Sequence, residues 1–94
     1  MQMNFDVGVE ERHQVQVSFY KVVGALSIKV DGHSVLRTSR VGSSGLIKPW
    51  DFVVGSAEQH NVRVERHRER LFGAFRSGRF YAYVDGQLVA QAVG

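Results

Sequence analysis

The stretches Lys29-Val30-Asp31-Gly32 and Tyr83-Val84-Asp85-Gly86 decide the fold. Each follows a segment in which apolar and polar residues alternate, and each precedes another apolar segment. Asp-Gly at such a place predicts a tight β-hairpin, because a type I′ turn requires positive φ at both central residues. Residues 24–33 and 78–87 share one layout of a glycine, an alternating strand, Val-Asp-Gly and a return strand. Two such hairpins predict meandering antiparallel β-structure, with the hairpins facing each other across one core.

Length and composition bound the class of protein. A chain of 94 residues is expected to form one domain, residues 1–94, around one small core. With 44% hydrophobic and 22% charged residues, it has the composition of a globular protein and not of a disordered one. The absence of cysteine excludes disulfides and thiolate metal sites and favours a cytoplasmic location. Because the chain has neither a run as long as a membrane span nor the regions of a signal peptide, we expect no membrane association.

Alternation with a period of two predicts the remaining strands. Residues 39–49 lack this alternation and contain turn-forming residues, so they predict the longest loop, and Pro49 is expected at the first position of an edge strand. Residues 66–70 are polar and are predicted to form a hairpin, not a helical turn. The strands predicted outside the second hairpin are residues 3–9, 13–21, 26–30, 34–38, 50–54, 61–66 and 71–75.

These segments together predict an all-β fold. About eight or nine short strands with turns about every 8–12 residues are typical of a sandwich or a small barrel. No segment of about ten residues or more has helical periodicity, so we expect little or no helix. We therefore predict an antiparallel β-sandwich with its strands in two sheets.

The segment 61–80 is the most basic part of the chain, with six arginines against two glutamates. Arginine binds planar anions such as phosphate and carboxylate, so the segment indicates a nucleic-acid or polyanion face on which nearby aromatic rings would stack on bases. The alternative is a solvated strand face whose charges protect a sheet edge. The candidate binding arginines are Arg63, Arg66, Arg68, Arg70, Arg76 and Arg79.

Three aromatic residues are further candidates for a binding surface. Alternation places Tyr81 and Tyr83 together on the face opposite Phe80, and Trp50, beside the only proline and the long loop, could be half exposed. Trp50 and Phe52 are expected on one face. These rings either complete the core, with hydroxyl groups at its rim, or form a patch that binds a protein or a sugar.

Catalytic and metal-binding motifs are absent from the sequence. Histidines occur at positions 13, 33, 60 and 67, but none has the spacing of a zinc-protease motif, and no serine lies in a nucleophile elbow. We expect these histidines at strand ends or on the surface. Gly42-Ser43-Ser44-Gly45 lacks the lysine and the following helix of a phosphate-binding loop. We therefore predict no catalytic residue, no metal ligand and no cofactor.

Several segments follow one another in an order that also occurs in a known family. They are His13-Gln-Val-Gln-Val, Leu26-Ser-Ile-Lys-Val-Asp-Gly, Trp50-Asp-Phe-Val-Val-Gly55, Asn61-Val-Arg-Val, Phe75 and Tyr81-Ala-Tyr-Val-Asp-Gly86. Between residues 13 and 91 the chain thereby resembles the C-terminal β-sandwich domain of the Fas apoptotic inhibitory molecule family. The resemblance implies two packed antiparallel sheets and a protein-binding role without catalysis.

The function predicted from the sequence is that of a small, non-enzymatic binding or interaction module. It is expected to act as a monomer or weak homodimer in the cytoplasm, on a protein partner, through β-augmentation at a sheet edge. The alternative is a nucleic-acid or polyanion-binding domain that uses the basic segment, with binding that weakens steeply as salt rises.

Overall fold

The computed structural model describes residues 1–20, 24–38, 47–67, 70–71, 74–75 and 78–93, and these residues form ten β-strands. No helix occurs among them, which confirms the all-β prediction. The strands are β1 (Gln2–Val7), β2 (His13–Tyr20), β3 (Ala25–Val30), β4 (His33–Thr38), β5 (Ile47–Val54), β6 (His60–His67), β7 (Arg70–Leu71), β8 (Ala74–Phe75), β9 (Arg79–Val84) and β10 (Gln87–Val93).

Eight of the strands form two antiparallel sheets of four strands each. The first sheet has the order β1-β2-β3-β4, and the second has the order β10-β9-β6-β5. Both sheets are therefore meanders. In the chain, the short antiparallel pair of β7 and β8 comes between β6 and β9, which are neighbouring strands of the second sheet. β1 also lies against β10, so that the two sheets meet along that side. This arrangement confirms the predicted antiparallel sandwich.

Both Asp-Gly turns have the predicted geometry. The φ angles are 52° at Asp31 and 81° at Gly32, and they are 50° at Asp85 and 84° at Gly86. Positive φ at both central residues matches the right-handed twist of the flanking strands, which is why two-residue hairpins favour this turn. The turns join β3 to β4 and β9 to β10.

The core lies between the two sheets and is built from alternate residues of their strands. The rings of Phe19 in the first sheet and Phe80 in the second have centroids 5.1 Å apart, and this contact joins the sheets. Burial of each such large apolar side chain contributes about 1.5–3 kcal/mol. The buried hydrophobic residues are Met3, Phe5, Val7, Val15, Val17, Phe19, Leu26, Ile28, Trp50, Val54, Val62, Val64, Phe80 and Ala82.

Three boundary predictions are wrong. The first strand ends at Val7, and Val9, predicted to continue its inward face, is 78% exposed in the following loop. β5 begins at Ile47, so Pro49 is the third residue of that strand, although the strand is an edge strand as expected. The single strand predicted over residues 71–75 is replaced by β7 and β8, which pair with each other. Most of the predicted long loop, including Gly42-Ser43-Ser44-Gly45, lies outside the described residues.

Candidate functional site

The surface of the second sheet that points away from the core carries the candidate site, and we call it the outer face of the second sheet. In β9, Phe80 and Ala82 are fully buried, so Tyr81 and Tyr83 point to the outer face. This confirms the predicted placement of the two tyrosines opposite Phe80. In β6 the outer residues are those that alternate with Val62 and Val64.

The pairing of β6 with β9 sets three cross-strand pairs on this face. Arg63 lies opposite Tyr83, Glu65 opposite Tyr81, and His67 opposite Arg79. The rings of His67 and Tyr81 meet edge to face with centroids 4.8 Å apart, and Nε2 of His67 lies 2.9 Å from Oε1 of Glu65. Such contacts hold the aromatic side chains in defined orientations on the sheet.

The charge of Arg63 is balanced by two carboxylates. Its Nε and Nη2 atoms donate to the two carboxylate oxygens of Asp51 at 2.8 and 3.2 Å, and Nη1 lies 3.5 Å from Oε2 of Glu65. The bond from Arg63 holds the pKa of Asp51 below its ordinary value of 3.8. The pair is exposed, so it adds little to stability, but it neutralises the arginine on this face. A shallow cavity of about 350 Å³ lies beside this pair and Tyr83.

Exposed aliphatic side chains also lie on the two edge strands of the outer face, although β6 separates those of β5 from the tyrosines. The exposed fractions are 57% for Ile47 and 59% for Val53 on β5, and 51% for Leu88 and 67% for Val93 on β10. The register places Leu88 opposite Tyr83 and Val93 opposite Arg79. An aromatic and aliphatic surface of this kind is typical of contact sites between proteins.

The corresponding face of the first sheet has a different character. Residues that alternate with its core positions include Asn4, Gln16, Ser27, Lys29 and Arg37. These side chains are polar or charged. The two sheets thus differ on their outer faces although both are four-stranded meanders.

The candidate residues whose side chains the structure describes divide into an outer-face group and a buried group. Arg63, Arg79, Tyr81 and Tyr83 lie together on the outer face of the second sheet. Trp50, which the sequence left open between a core position and a half-exposed binding position, is 9% exposed and belongs to the core. It shares its inward face with Phe52, as predicted.

Arg66 is buried and does not belong to a basic surface. It is 7% exposed, and its guanidinium carbon lies 4.7 Å from the centroid of the Phe19 ring and 5.9 Å from that of Phe80. The guanidinium therefore stacks on core aromatic rings. Arg68, Arg76 and the side chain of Arg70 lie outside the described part of the chain.

A second cluster of charged residues, which the sequence analysis missed, joins the loops 8–12 and 55–59. These loops connect β1 to β2 and β5 to β6. The carboxylate of Glu11 accepts hydrogen bonds from the backbone N–H groups of Ser56 at 2.7 Å and Ala57 at 3.0 Å. The hydroxyl of Ser56 donates a further bond to Glu11 at 3.1 Å. Glu11 of loop 8–12 therefore binds loop 55–59.

Glu58 makes the reciprocal contact from the second loop to the first. Its carboxylate accepts hydrogen bonds from the backbone N–H groups of Val9 at 2.8 Å, Glu10 at 2.9 Å and Glu11 at 3.2 Å. Each glutamate thus binds the backbone of the opposite loop. We call these loops, with His13, His60 and the aspartates that bind them, the loop junction.

His13 bridges two carboxylates within the loop junction. Its Nε2 atom lies 2.7 Å from Glu11, and its Nδ1 atom lies 2.5 Å from Asp31 in the first Asp-Gly turn. An ionised carboxylate can only accept hydrogen bonds, so both ring nitrogens must donate, and the ring must be an imidazolium. The pKa of His13 is accordingly raised above 6.5, first by the bond to Asp31 and then by the bond to Glu11.

His60 has the same arrangement in the second sheet. Its Nε2 and Nδ1 atoms each lie 2.5 Å from a carboxylate, that of Glu58 and that of Asp85 respectively. The bond to Asp85 is the main reason that the pKa of His60 is raised above 6.5. Asp85 also accepts the backbone N–H of Asn61, as Asp31 accepts that of Gln14.

The same bonds stabilise the ionised form of the glutamates. The pKa of Glu11 falls from 4.5 to about 2, first because of His13 and then because of the backbone amides of the opposite loop. The pKa of Glu58 also falls from 4.5 to about 2, with His60 as its main cause. Both glutamates are therefore charged near neutral pH, and the same bonds favour the charged form of both rings.

A sequence signal for the loop junction exists in the repeated spacing Gly-x-x-Glu-x-His. It occurs at residues 8–13 and again at residues 55–60, and each copy is followed by a strand that begins with alternating valines. Each copy also belongs to one sheet and precedes one of the two Asp-Gly turns. The Asp-Gly repeat was recognised from the sequence, whereas this companion repeat was not.

The chemistry available to the loop junction is structural. Both ring nitrogens of His13 and of His60 are bound to carboxylates, so neither ring offers a nitrogen that could act as a general base. In the parts of the chain described, no group of three histidine, aspartate or glutamate side chains is arranged to hold a metal ion. Nor does the described structure contain a helix that could cross a membrane.

Comparison with known proteins adds no family assignment. No protein-family model matches the chain, and no curated protein matches it. The resemblance to the Fas apoptotic inhibitory molecule family therefore stays a prediction.

Proposed function

We propose that the protein is a small non-enzymatic binding module and that the outer face of the second sheet binds a partner protein. The observation that carries the proposal is the placement of Tyr81 and Tyr83 together on this face, where Leu88 and Val93 of the neighbouring strand β10 are exposed. Tyrosine offers a large rigid contact area and a hydroxyl group, and it is enriched at protein interfaces. The outer face of the first sheet also has an exposed tyrosine, Tyr20, but the surrounding side chains include Ser27 and Arg37, which are polar or charged.

The charges of the outer face favour a partner with an apolar or aromatic surface. Arg63 faces Asp51 and Glu65, and Arg79 adds one further positive charge. Among the described residues of this face, the two cations and two anions balance and give no net charge to attract a polyanion. A protein-binding role is also what the resemblance to the Fas apoptotic inhibitory molecule family implies.

Selection of peptides tests this proposal. Peptides from a random displayed library that bind the protein are expected to lose affinity at least about tenfold, or ~1.4 kcal/mol, when Tyr81 and Tyr83 are both replaced with alanine. Tyr20→Ala is the matched control, because Tyr20 is 61% exposed on the first sheet. Isothermal titration calorimetry gives the affinities. If the selected peptides bind the Tyr81→Ala, Tyr83→Ala double variant as tightly as the Tyr20→Ala variant, the binding surface lies elsewhere.

A nucleic-acid partner is the second candidate function. It is favoured by the same pair of tyrosines, because half-buried aromatic rings on a sheet face beside an arginine such as Arg79 can stack on the bases of a single strand. Labelled single-stranded and duplex oligonucleotides, titrated by fluorescence anisotropy at low and physiological salt, distinguish the candidates. Binding that persists at physiological salt and is lost in Tyr81→Ala would support this second function. Binding absent at physiological salt would leave the protein partner.

A further inference from the structure

We propose that protonation of His13 and His60 controls the loop junction. Loops 8–12 and 55–59 are held together while each ring carries two N–H protons. The loops loosen when each ring loses one of them. The inference is independent of the binding surface proposed above. It concerns a conformational device at the loops that join the strands, whereas the binding surface lies on the outer face of the second sheet.

The geometry of the two rings makes the lock dependent on protonation. An imidazolium has two N–H donors and satisfies both of its carboxylates, but a neutral imidazole has one donor and one lone pair. Loss of a proton from His60 to solvent would leave a lone pair 2.5 Å from an oxygen of Glu58 or Asp85. The lone pair and the carboxylate repel each other, so at least one of the two contacts must lengthen.

The glutamates carry this change from one half of the protein to the other. A carboxylate of Glu58 that moves away from His60 also moves relative to the three backbone N–H groups of loop 8–12 that it accepts. Glu11 connects His13 with the amides of Ser56 and Ala57 in the same way. Deprotonation that lengthens the contact between either ring and its glutamate is therefore felt by the loop of the opposite half.

Few charged groups face the two rings. His13 faces Glu11 from its own loop and Asp31 from the turn between β3 and β4, and His33 lies near Asp31. The groups that face His60 are Glu58 from its own loop and Asp85 from the turn between β9 and β10. From the opposite loop, the contacts to each glutamate come from backbone amides and the Ser56 hydroxyl.

The pH range of the locked state follows from the direction of each pKa. Because folding raises the pKa of each histidine, the contribution of the two rings to stability is fully present below pH 6.5. It is lost as pH rises through the folded pKa. Because the glutamate pKa is lowered from 4.5 to about 2, their contribution is present above 4.5 and is lost as pH falls toward 2. The loop junction is therefore most stable between pH 4.5 and 6.5.

A nitrogen-detected NMR titration of the full chain tests the proposal. Both ring nitrogens of His13 and His60 are expected to be protonated at neutral pH. As pH rises, the backbone amide signals of Val9, Glu10 and Ser56 are expected to shift with the same midpoint as the rings. Rings that are neutral at neutral pH, or loop amides that do not move while the rings titrate, would overturn the proposal.

A pair of matched variants separates this coupling from a general effect of charge. Glu58→Gln keeps an oxygen for the backbone amides but removes the anion beside His60, so the midpoint of the His60 ring is expected to fall and the coupled shift of Val9 and Glu10 to disappear. Glu65→Gln is the control, because Glu65 has the same Glu-x-His relation to His67, at 2.9 Å, on the outer face of the second sheet. It should leave the midpoints of His13 and His60 unchanged. Equal behaviour of the two variants would contradict the proposal.

Discussion

Replacing Phe80 with alanine is expected to lower the free energy of unfolding by about 3–5 kcal/mol. Phe80 is fully buried, and its ring joins the two sheets through Phe19 at a centroid distance of 5.1 Å. Removal of the ring leaves a cavity at the centre of the sandwich and takes away one of the two aromatic faces on which Arg66 lies. Urea denaturation followed by far-UV circular dichroism measures the change through its midpoint.

The neighbouring residue is the control for this prediction. Tyr81→Ala changes the next position of β9, but on the outer face, where a substitution in a strand is expected to cost about 1 kcal/mol or less. The large difference between adjacent positions follows from the alternation of the strand alone. If both variants lost the same free energy, Phe80 would not be at the centre of the core.

Replacing Gly55 with alanine is expected to cost about 2–5 kcal/mol, because two penalties act at this position. Its φ is +102°, which disfavours any residue with a Cβ atom. A Cβ atom would also overlap the backbone carbonyl oxygen of Glu58 and come within 2.9 Å of the Glu11 carboxylate. The loop must then move, and the bonds from Glu11 to Ser56 and Ala57 are expected to break. Thermal unfolding measures the loss.

Gly86→Ala separates the two penalties. Gly86 also has positive φ, at 84°, but a Cβ atom there would meet nothing within 4 Å. Only the backbone penalty remains, of about 1–2 kcal/mol. A Gly55→Ala variant no less stable than Gly86→Ala would show that the close approach of the Glu58 carbonyl to Gly55 does not constrain the chain.

The parts of the fold that were predictable from the sequence depend on neighbouring residues. Asp31-Gly32 and Asp85-Gly86 are turns because the positive φ that each needs is a property of these residue types. Alternation placed Tyr81 and Tyr83 on one face because successive side chains of a strand point in opposite directions. Both inferences need only a few residues of sequence, and the structure confirms both.

Arg66 shows where residue type and alternation disagree. It lies two residues after Val64 and four after Val62, so alternation along the strand places its side chain inward, whereas its charge suggested the surface. The structure follows the alternation, because the guanidinium can lie on the rings of Phe19 and Phe80. Those two rings come from different sheets, so their approach to Arg66 could not be inferred from β6 alone.

The sequence by itself determined the turns, most of the strands and the inward or outward direction of their side chains, since each depends on backbone geometry over a few residues. Only the tertiary structure decided which distant residues meet. Glu11 and Ser56 are 45 residues apart in the chain, and their hydrogen bond forms only when the two sheets pack and bring loops 8–12 and 55–59 together. The same packing places Arg66 in the core and leaves Arg63 and Arg79 on the surface. It also connects each histidine, through its glutamate, to the loop of the opposite sheet.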